Sequence, residues 1–559
     1  MGEKNQKQIL YIFIMAICIL LLLYTTGCGS DDSSSTAEDT IQSTSSTETG
    51  FDTTFSDKDI DASYDEAEST IIILSNNASS VDGTGAKASG STVTISEEGT
   101  YILSGMLTDG QLIVDAEDSA DIHIVFNGIS ISSSTTAPVL IKEADKVVIT
   151  LAEGSENEIT DAAHSEISVD DSIIDAAVFS KADLAINGEG TLVIEGNYEH
   201  GIASKDDLII TGGGISVTAA GDALQGKDCV KIAGGTLSIQ AGTDGIQSDN
   251  EEDEYKGYIY IQDANITIEA GDDGFQAQNA LIISGGEISI ASDDDALHSN
   301  GNVSIEGGIL EIACEDDGVH ADNALVVNGG EINIENSYEG LEGNSIDING
   351  GTIHVNASDD GFNAAGGQDN SQAADRREDD NFQTDSDSYI KISGGMITIN
   401  ASGDGIDSNG TLTVSGGETY VSGPTTNGNG ALDYNGDATI SAGVIIAAGS
   451  TGMAEGFSAS STQYSILYNF NTAVSANTTI SLINSSGDTI LSYTPEKEYQ
   501  SVVLSSPQLA KGTYTFKVGA QSYTVEISSV VTTYGSSGGG MNNQMTPNNG
   551  SNDPSRNRQ

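Results

Sequence analysis

Residues 271–308 read "GDDGFQAQNALIISGGEISIASDDDALHSNGNVSIEGG" and state nearly the same phrase twice. Asp273-Gly274 returns 22 residues later as Asp295-Ala296, and Gly285-Gly286 returns as Gly307-Gly308. Working outward, the acidic corner marks His200-Gly201, Asp222-Ala223, Asp244-Gly245, Asp317-Gly318, Glu339-Gly340, Asp360-Gly361 and Asp404-Gly405 on the same beat. Two longer steps hold polar insertions, one near 249–258 and one over 366–388. Within each period apolar residues alternate: Leu281, Ile283, Ile288 and Ile290, then Val303, Ile305, Leu310 and Ile312. Alternation with period two in runs this short predicts strands. Recurrence of the same apolar places predicts side chains stacked along a solenoid. Three short strands and three turns per period of about 22 residues describe one coil of a parallel β-helix, each coil ~4.8 Å from the next. The fold class expected is all-β.

This reading divides the chain. Residues 1–28 resemble an export signal: Lys4 and Lys7 precede an apolar run, Ile9 to Leu23, that ends at Gly27-Cys28 after small residues. Cys28 is the expected lipid attachment site, and an uncleaved signal anchor is the alternative. Residues 29–68 are rich in Ser, Thr and acids and are expected to form a solvated stalk. The β-helix is assigned to 69–455, with less regular first coils. Longer alternating runs and hairpin signals over 456–533 predict a small antiparallel β cap, and 534–559 a disordered tail. Cys229 and Cys314 stand three to four coils apart, roughly 15–19 Å along the axis at the usual strand spacing. That exceeds disulfide reach, so they are read as buried free thiols.

With 84 acidic against 19 basic residues and a net charge of −65, the chain lacks the cationic footprint that nucleic acid requires. The charge suits an extracellular protein in a cation-rich medium, placed at the outer face of a bacterial membrane through Cys28. Stacked carboxylates at ~4.8 Å repel one another, by about 1 kcal/mol in water and more inside a protein. Three arrangements offset this: backbone N–H donors at the turn, retained protons, or a divalent cation between coils. Calcium takes six to eight hard oxygen ligands. The candidate ligands are Asp272, Asp273, Asp294, Asp295, Asp316, Asp317, Asp359 and Asp360, with Asp244 and Asp404 at single-acid corners. Turn chemistry without metal remains the alternative. A second column, Gln276, His298, His320, Glu342, Asn363 and Asp407, is expected to be exposed, as a binding or a solvated face.

The lipobox, the acidic stalk, the early-coil residues "NGISI…APVLIK" and the repeat of an Asp-Gly corner with paired glycines resemble the β-helical carbohydrate-binding proteins of clostridial cell surfaces, relatives in fold of the pectate lyases. The resemblance implies a right-handed parallel β-helix that binds calcium and plant cell-wall polysaccharide, cellulose or pectin-like polyuronate, without cleaving it, and a monomer is expected. Calcium lets an anionic protein hold an anionic sugar. With no Trp in the chain, stacking on neutral sugar would fall to Tyr255, Tyr258, Tyr260, Tyr338 or Tyr389, with Tyr198 and Tyr420 behind them. The competing classes are a polysaccharide lyase or hydrolase and a structural adhesin for protein partners. The few cations on the coils form no recognisable lyase pattern.

Overall fold

The computed structural model describes residues 50–163, 168–169, 172–364 and 387–536. Cys28 and its leader, the stalk to residue 49, insertion residues 365–386 and the tail after 536 lie outside the described residues.

The expected period is realised as a parallel stack of three-sided coils. One coil holds strands Glu287–Ser292, Leu297–Ser299 and Asn302–Ile305. It lies in parallel register on the next, with Ile288 on Leu310, Ile290 on Ile312, His298 on His320 and Val303 on Leu325. The six-residue strands alternate exposed and buried positions, as in Thr236–Ala241, Asn265–Ala270 and Glu287–Ser292. Every second residue therefore enters the core, and equivalent residues meet between coils. Ile246, Phe275 and Leu297 form one such column, all fully buried. The second residue of each Gly-Gly pair turns the chain with positive φ, +99° at Gly286 and +96° at Gly308, a conformation that glycine adopts without strain.

At the N-terminal end, Thr70–Leu74 pairs antiparallel with Ser80–Asp82 and parallel with Gly99–Leu107. At the other end the pairing turns antiparallel: Tyr499–Ser505 joins Ala438–Gly449 and Ser465–Val474. A separate four-stranded antiparallel sheet, 480–527, packs over a second core around Phe470, Tyr499 and Phe516. Cys229 and Cys314 are free and buried.

Residues 50–68 correct the expected solvated stalk: from Gly50 onward the chain is laid along the flank of the four-residue strands. Phe51 meets Tyr258 with ring centroids 5.0 Å apart, and Phe55 meets Tyr260 at 6.1 Å. A single helical turn, α1 (Asp57–Ile60), is closed by a capping box between Ser56 and Asp59. Asp59 is buried and paired with Lys146 at 2.5 Å, while Asn187 and Thr211 donate to the Asp59 carbonyl. Low apolar content argues for solvation, but two phenylalanines and satisfied polar groups are enough to dock a segment onto a finished surface. Asp59→Ala removes the N3 half of the capping box and leaves Lys146 unpartnered by this carboxylate, which costs about 1–2 kcal/mol of docking. Trypsin should then cut after Lys58 roughly tenfold faster, since 1.4 kcal/mol is a factor of ten. Unchanged cleavage would show that the phenylalanines alone hold the strap.

Candidate functional site

The acidic corner joins each six-residue strand to the following three-residue strand. There the chain bends, and the corner amide leaves the regular ladder. The residue after the corner still donates to the next coil, as Gly274 N does to Asp295 O at 2.9 Å and Ala296 N to Asp317 O at 3.0 Å. The corner amide itself needs another acceptor. In coil after coil the carboxylate of the preceding corner supplies it. Asp222 Oδ1 accepts from Asp244 N at 3.1 Å, Asp244 Oδ1 from Asp273 N at 3.1 Å, and Asp273 Oδ1 from Asp295 N at 3.0 Å. Asp295 Oδ1 accepts from Asp317 N at 2.8 Å and Asp317 Oδ1 from Glu339 N at 3.1 Å. Asp360 and Asp404 accept in the same way from Asp404 N and Gly430 N. An amide donated to a carboxylate is a charge-assisted bond, and this row explains why the corner is acidic.

The second carboxylate oxygens face the residue three places on in their own coil or its equivalent in the next. Gln247 donates to Asp244 Oδ2 at 2.6 Å, and Asn363 of the following coil to Glu339 Oε2 at 2.7 Å. His298 Nδ1 lies 3.2 Å from both Asp273 Oδ2 and Asp295 Oδ2. His320 Nδ1 lies 2.8 Å from Glu342 Oε2, 3.3 Å from Asp317 Oδ2 and 4.0 Å from Asp295 Oδ2. The two rings meet at a tilt of 41° with centroids 5.0 Å apart. The expectation of an exposed second column is thus corrected. His320 and Asn363 are buried, while Gln276, His298, Glu342 and Asp407 are half-buried. The strand register brings this column against the corner acids rather than into solvent.

Electrostatics follows the crowding. Asp244 is pushed up to about 8 by burial first, then by Asp222 and Asp273. Asp404 rises to about 8, burial outweighing the bond from Gly430. Burial also raises Asp295, Glu339 and Asp360 well above the carboxylate range. Glu342 rises to about 7, its burial only partly offset by His320. Asp317 goes the other way: burial opposes ionisation, but hydrogen bonds involving His320 and Glu342 hold it low. Burial disfavours a charged ring at His298, yet Asp273 and Asp295 raise it to about 11. His320 is raised in the same manner.

Of the expected metal ligands, the structure gathers the central set. Oxygens of Asp272, Asp273 and Asp294 lie within 4.8 Å of one another, as do those of Asp294, Asp295 and Asp316. Asp317 joins Asp295 and His320 in another such group. Asp359 and Asp360 lie together beside Gly403, where a Cβ would strike both Oδ1 atoms. The oxygens of Asp244 are taken by Asp273 N and Gln247. Hard oxygens at this spacing fit calcium, and burial and then the Asp273 charge raise the Asp272 carboxyl.

The tyrosines are scattered. Tyr258 and Tyr260, expected as stacking platforms, are buried under Phe51 and Phe55, and the Tyr258 hydroxyl donates to Asp52 O at 2.6 Å. They offer no face to a sugar. Tyr389 is half-buried and donates to Asp347 at 2.7 Å, Tyr338 is half-buried, and Tyr255 is 56% exposed. Tyr420 meets Tyr493 of the C-terminal sheet at 5.2 Å.

The His–Asp contacts were present in the sequence as Asp295-x-x-His298 and Asp317-x-x-His320, a spacing that a short strand after a corner folds back onto the acid. A further acid group, Asp183, Asp206 and Asp207, sits where strands Asp183–Gly188 and Asp207–Ile210 begin, with Asp183 at about 6 through burial and the Asp207 charge, and Asp206 at about 7 through burial, then Asp228 and Asp183. The recurring Ser180-Lys181-Ala182-Asp183 and Ser204-Lys205-Asp206-Asp207 were the signal that could have found it.

A family model described as carbohydrate-binding domain-containing protein matches residues 89–340 and 294–430. A carbohydrate-binding domain-containing protein from Acetivibrio thermocellus is 39% identical over 144 residues, 26% of this chain and 50% of that protein. The chain therefore spans about half the length of this relative. A solved structure, the polysaccharide lyase-like protein from C. thermocellum in a gadolinium derivative, shares 34% identity over 44% of this chain and 94% of its own, with a TM-score of 0.39. The family match runs through the coils that carry the acidic corners, and the chain belongs to the carbohydrate-binding domain-containing protein family.

Proposed function

We propose that this protein is a non-catalytic polysaccharide-binding lipoprotein, held at the outer face of a bacterial membrane through Cys28 and directed at plant cell-wall glycan. Calcium at the doubled acids, centred on Asp272, Asp273, Asp294, Asp295 and Asp316, is part of the proposal, as is a right-handed winding, the usual hand of parallel crossovers. The observation that carries the reading is the family match over residues 89–430, the region in which the corners repeat. A polymer of repeating units is met by side chains that repeat every ~4.8 Å along the axis. Crowded carboxylates favour a polyuronate over neutral cellulose, because a shared dication bridges two sets of acids.

The corner acids also have structural work: their Oδ1 atoms hold the backbone of the next coil, which disfavours assigning any one pair to acid–base catalysis. Pull-down of the protein on polygalacturonate gel and on insoluble cellulose, in calcium and then in excess chelator, tests the proposal. We expect polygalacturonate retention to drop about tenfold or more in chelator, as ligand-rich calcium sites do when emptied. Ultraviolet-absorbing unsaturated uronide in the supernatant would instead identify a lyase. Retention indifferent to chelator would remove calcium from the mechanism.

A further inference from the structure

We propose that His298 Nδ1, Asp273 Oδ2 and Asp295 Oδ2 form a binding site for a zinc-type divalent transition-metal ion. The proposal goes beyond calcium at the doubled acids, because it rests on an imidazole nitrogen and the inner carboxylate oxygens.

The three donors are close enough to share one ion. The ring nitrogen is 3.2 Å from each carboxylate oxygen, and the three donors lie within 4.8 Å of one another. Zinc bonds of about 2.0–2.1 Å place tetrahedral ligands ~3.3–3.4 Å apart. A charge-assisted hydrogen bond would bring nitrogen and oxygen to about 2.7–2.9 Å. His320 provides that contrast one coil away: its Nδ1 is 2.8 Å from Glu342 Oε2, and its side chain is 1% exposed. It is a closed ion pair. The His298 side chain is 13% exposed and so less enclosed than His320.

The outer contacts orient the donors. His298 Nε2 lies 3.0 Å from Asn300 Oδ1, and Asn300 Nδ2 donates to Gln278 Oε1 at 2.9 Å. An amide oxygen only accepts, so Nε2 carries the hydrogen and Nδ1 turns toward the carboxylates. A lone pair between two carboxylate oxygens must hold either a proton or a metal. The aspartates are fixed as well, since their Oδ1 atoms accept from Asp295 N and Asp317 N. Such second contacts are what hold metal ligands in place. Four carboxyl groups, Asp273, Asp295, Asp317 and Glu342, surround two histidine rings here. Imidazole with carboxylate selects zinc, cobalt, nickel or manganese, whereas calcium takes oxygen ligands.

The test strips the protein with chelator, then titrates zinc by calorimetry and cobalt by visible absorption. We expect about one tight ion per chain with release of a proton from the ring, and a tetrahedral cobalt spectrum. His298→Ala should weaken zinc by at least about tenfold. Asp273→Asn keeps the Oδ1 acceptor and so the corner, but replaces the ligand oxygen with an amide nitrogen; it should weaken zinc equally, even if His298→Ala fails to fold. Excess calcium should not displace the ion. Zinc binding unchanged in both variants, displacement by calcium, or His298 ring resonances that do not respond to zinc would each overturn the proposal.

Discussion

In buffer free of divalent cations, the solenoid should lose thermal stability as the pH rises from about 5 to about 9, the reverse of ordinary acid denaturation. The sign follows from the raised groups. Asp244 and Asp404 titrate at about 8 and Glu342 at about 7 when folded, against about 4 in an unfolded chain. Between these values the folded state holds protons that the unfolded state has released. Stability from these groups is complete below about pH 4 and is lost as the pH climbs through 7 and 8. His298 adds to the same slope: its folded value of about 11 lies above the unfolded value, so its contribution is complete below about 6.5 and declines above it. Carboxyls held low, such as Asp317 and Asp59, contribute only in acid and stay flat across this window.

Each proton of difference is worth about 1.4 kcal/mol per pH unit, and several groups titrate together. Long repeat arrays can unfold in stages, so melting midpoints, not extrapolated free energies, are the quantity to compare. Calcium should restore the midpoint more at pH 8 than at pH 5, because it replaces the missing protons. A midpoint that is level or rising over this range without added cation would mean that the corner acids ionise without penalty.

Asp295→Ala should destabilise its own and the adjoining coils by about 3–5 kcal/mol, the range for a buried charge pair losing one partner. Two losses combine. The amide of Asp317 forfeits its 2.8 Å acceptor, and a buried amide without a partner costs about 1–3 kcal/mol. The two neighbouring histidines lose a shared carboxylate, at 3.2 Å from His298 and 4.0 Å from His320. Relief of repulsion from Asp273 and Asp317 returns part of this, which keeps the estimate below the sum. Asp295→Asn also removes the charge facing the histidines but retains Oδ1 for the Asp317 amide, so it should cost less than Asp295→Ala by about the 1–3 kcal/mol of an unpartnered buried amide. Hydrogen exchange across residues 290–325 reads the difference, since each coil contacts only its neighbours. Equal effects of Ala and Asn would sink the assignment of Oδ1 to backbone support.

The corner illustrates a partial reading of the sequence. Its place and acidity stand out because the period is fixed, and backbone donation at the turn was one of three arrangements open to it. Choosing among them required the register that sets Asp273 Oδ1 against Asp295 N. The exposed second column was misjudged for a related reason. A three-residue strand directs its middle side chain outward, but at His320 the neighbouring acids of the stacked coils close over it. The carboxylates of Asp317 and Glu342 and the ring of His298 fill the space that an isolated coil would leave to water.

The sequence by itself determined the stacked parallel coils, because each apolar residue finds its partner one period away and a repeat displays that pairing directly. Only the tertiary structure decided what lies over Tyr258 and Tyr260. The bond from the Tyr258 hydroxyl to Asp52 O joins residues 206 apart in the chain. No period links them, and the strap's few apolar side chains show their worth only against a surface the solenoid has already built.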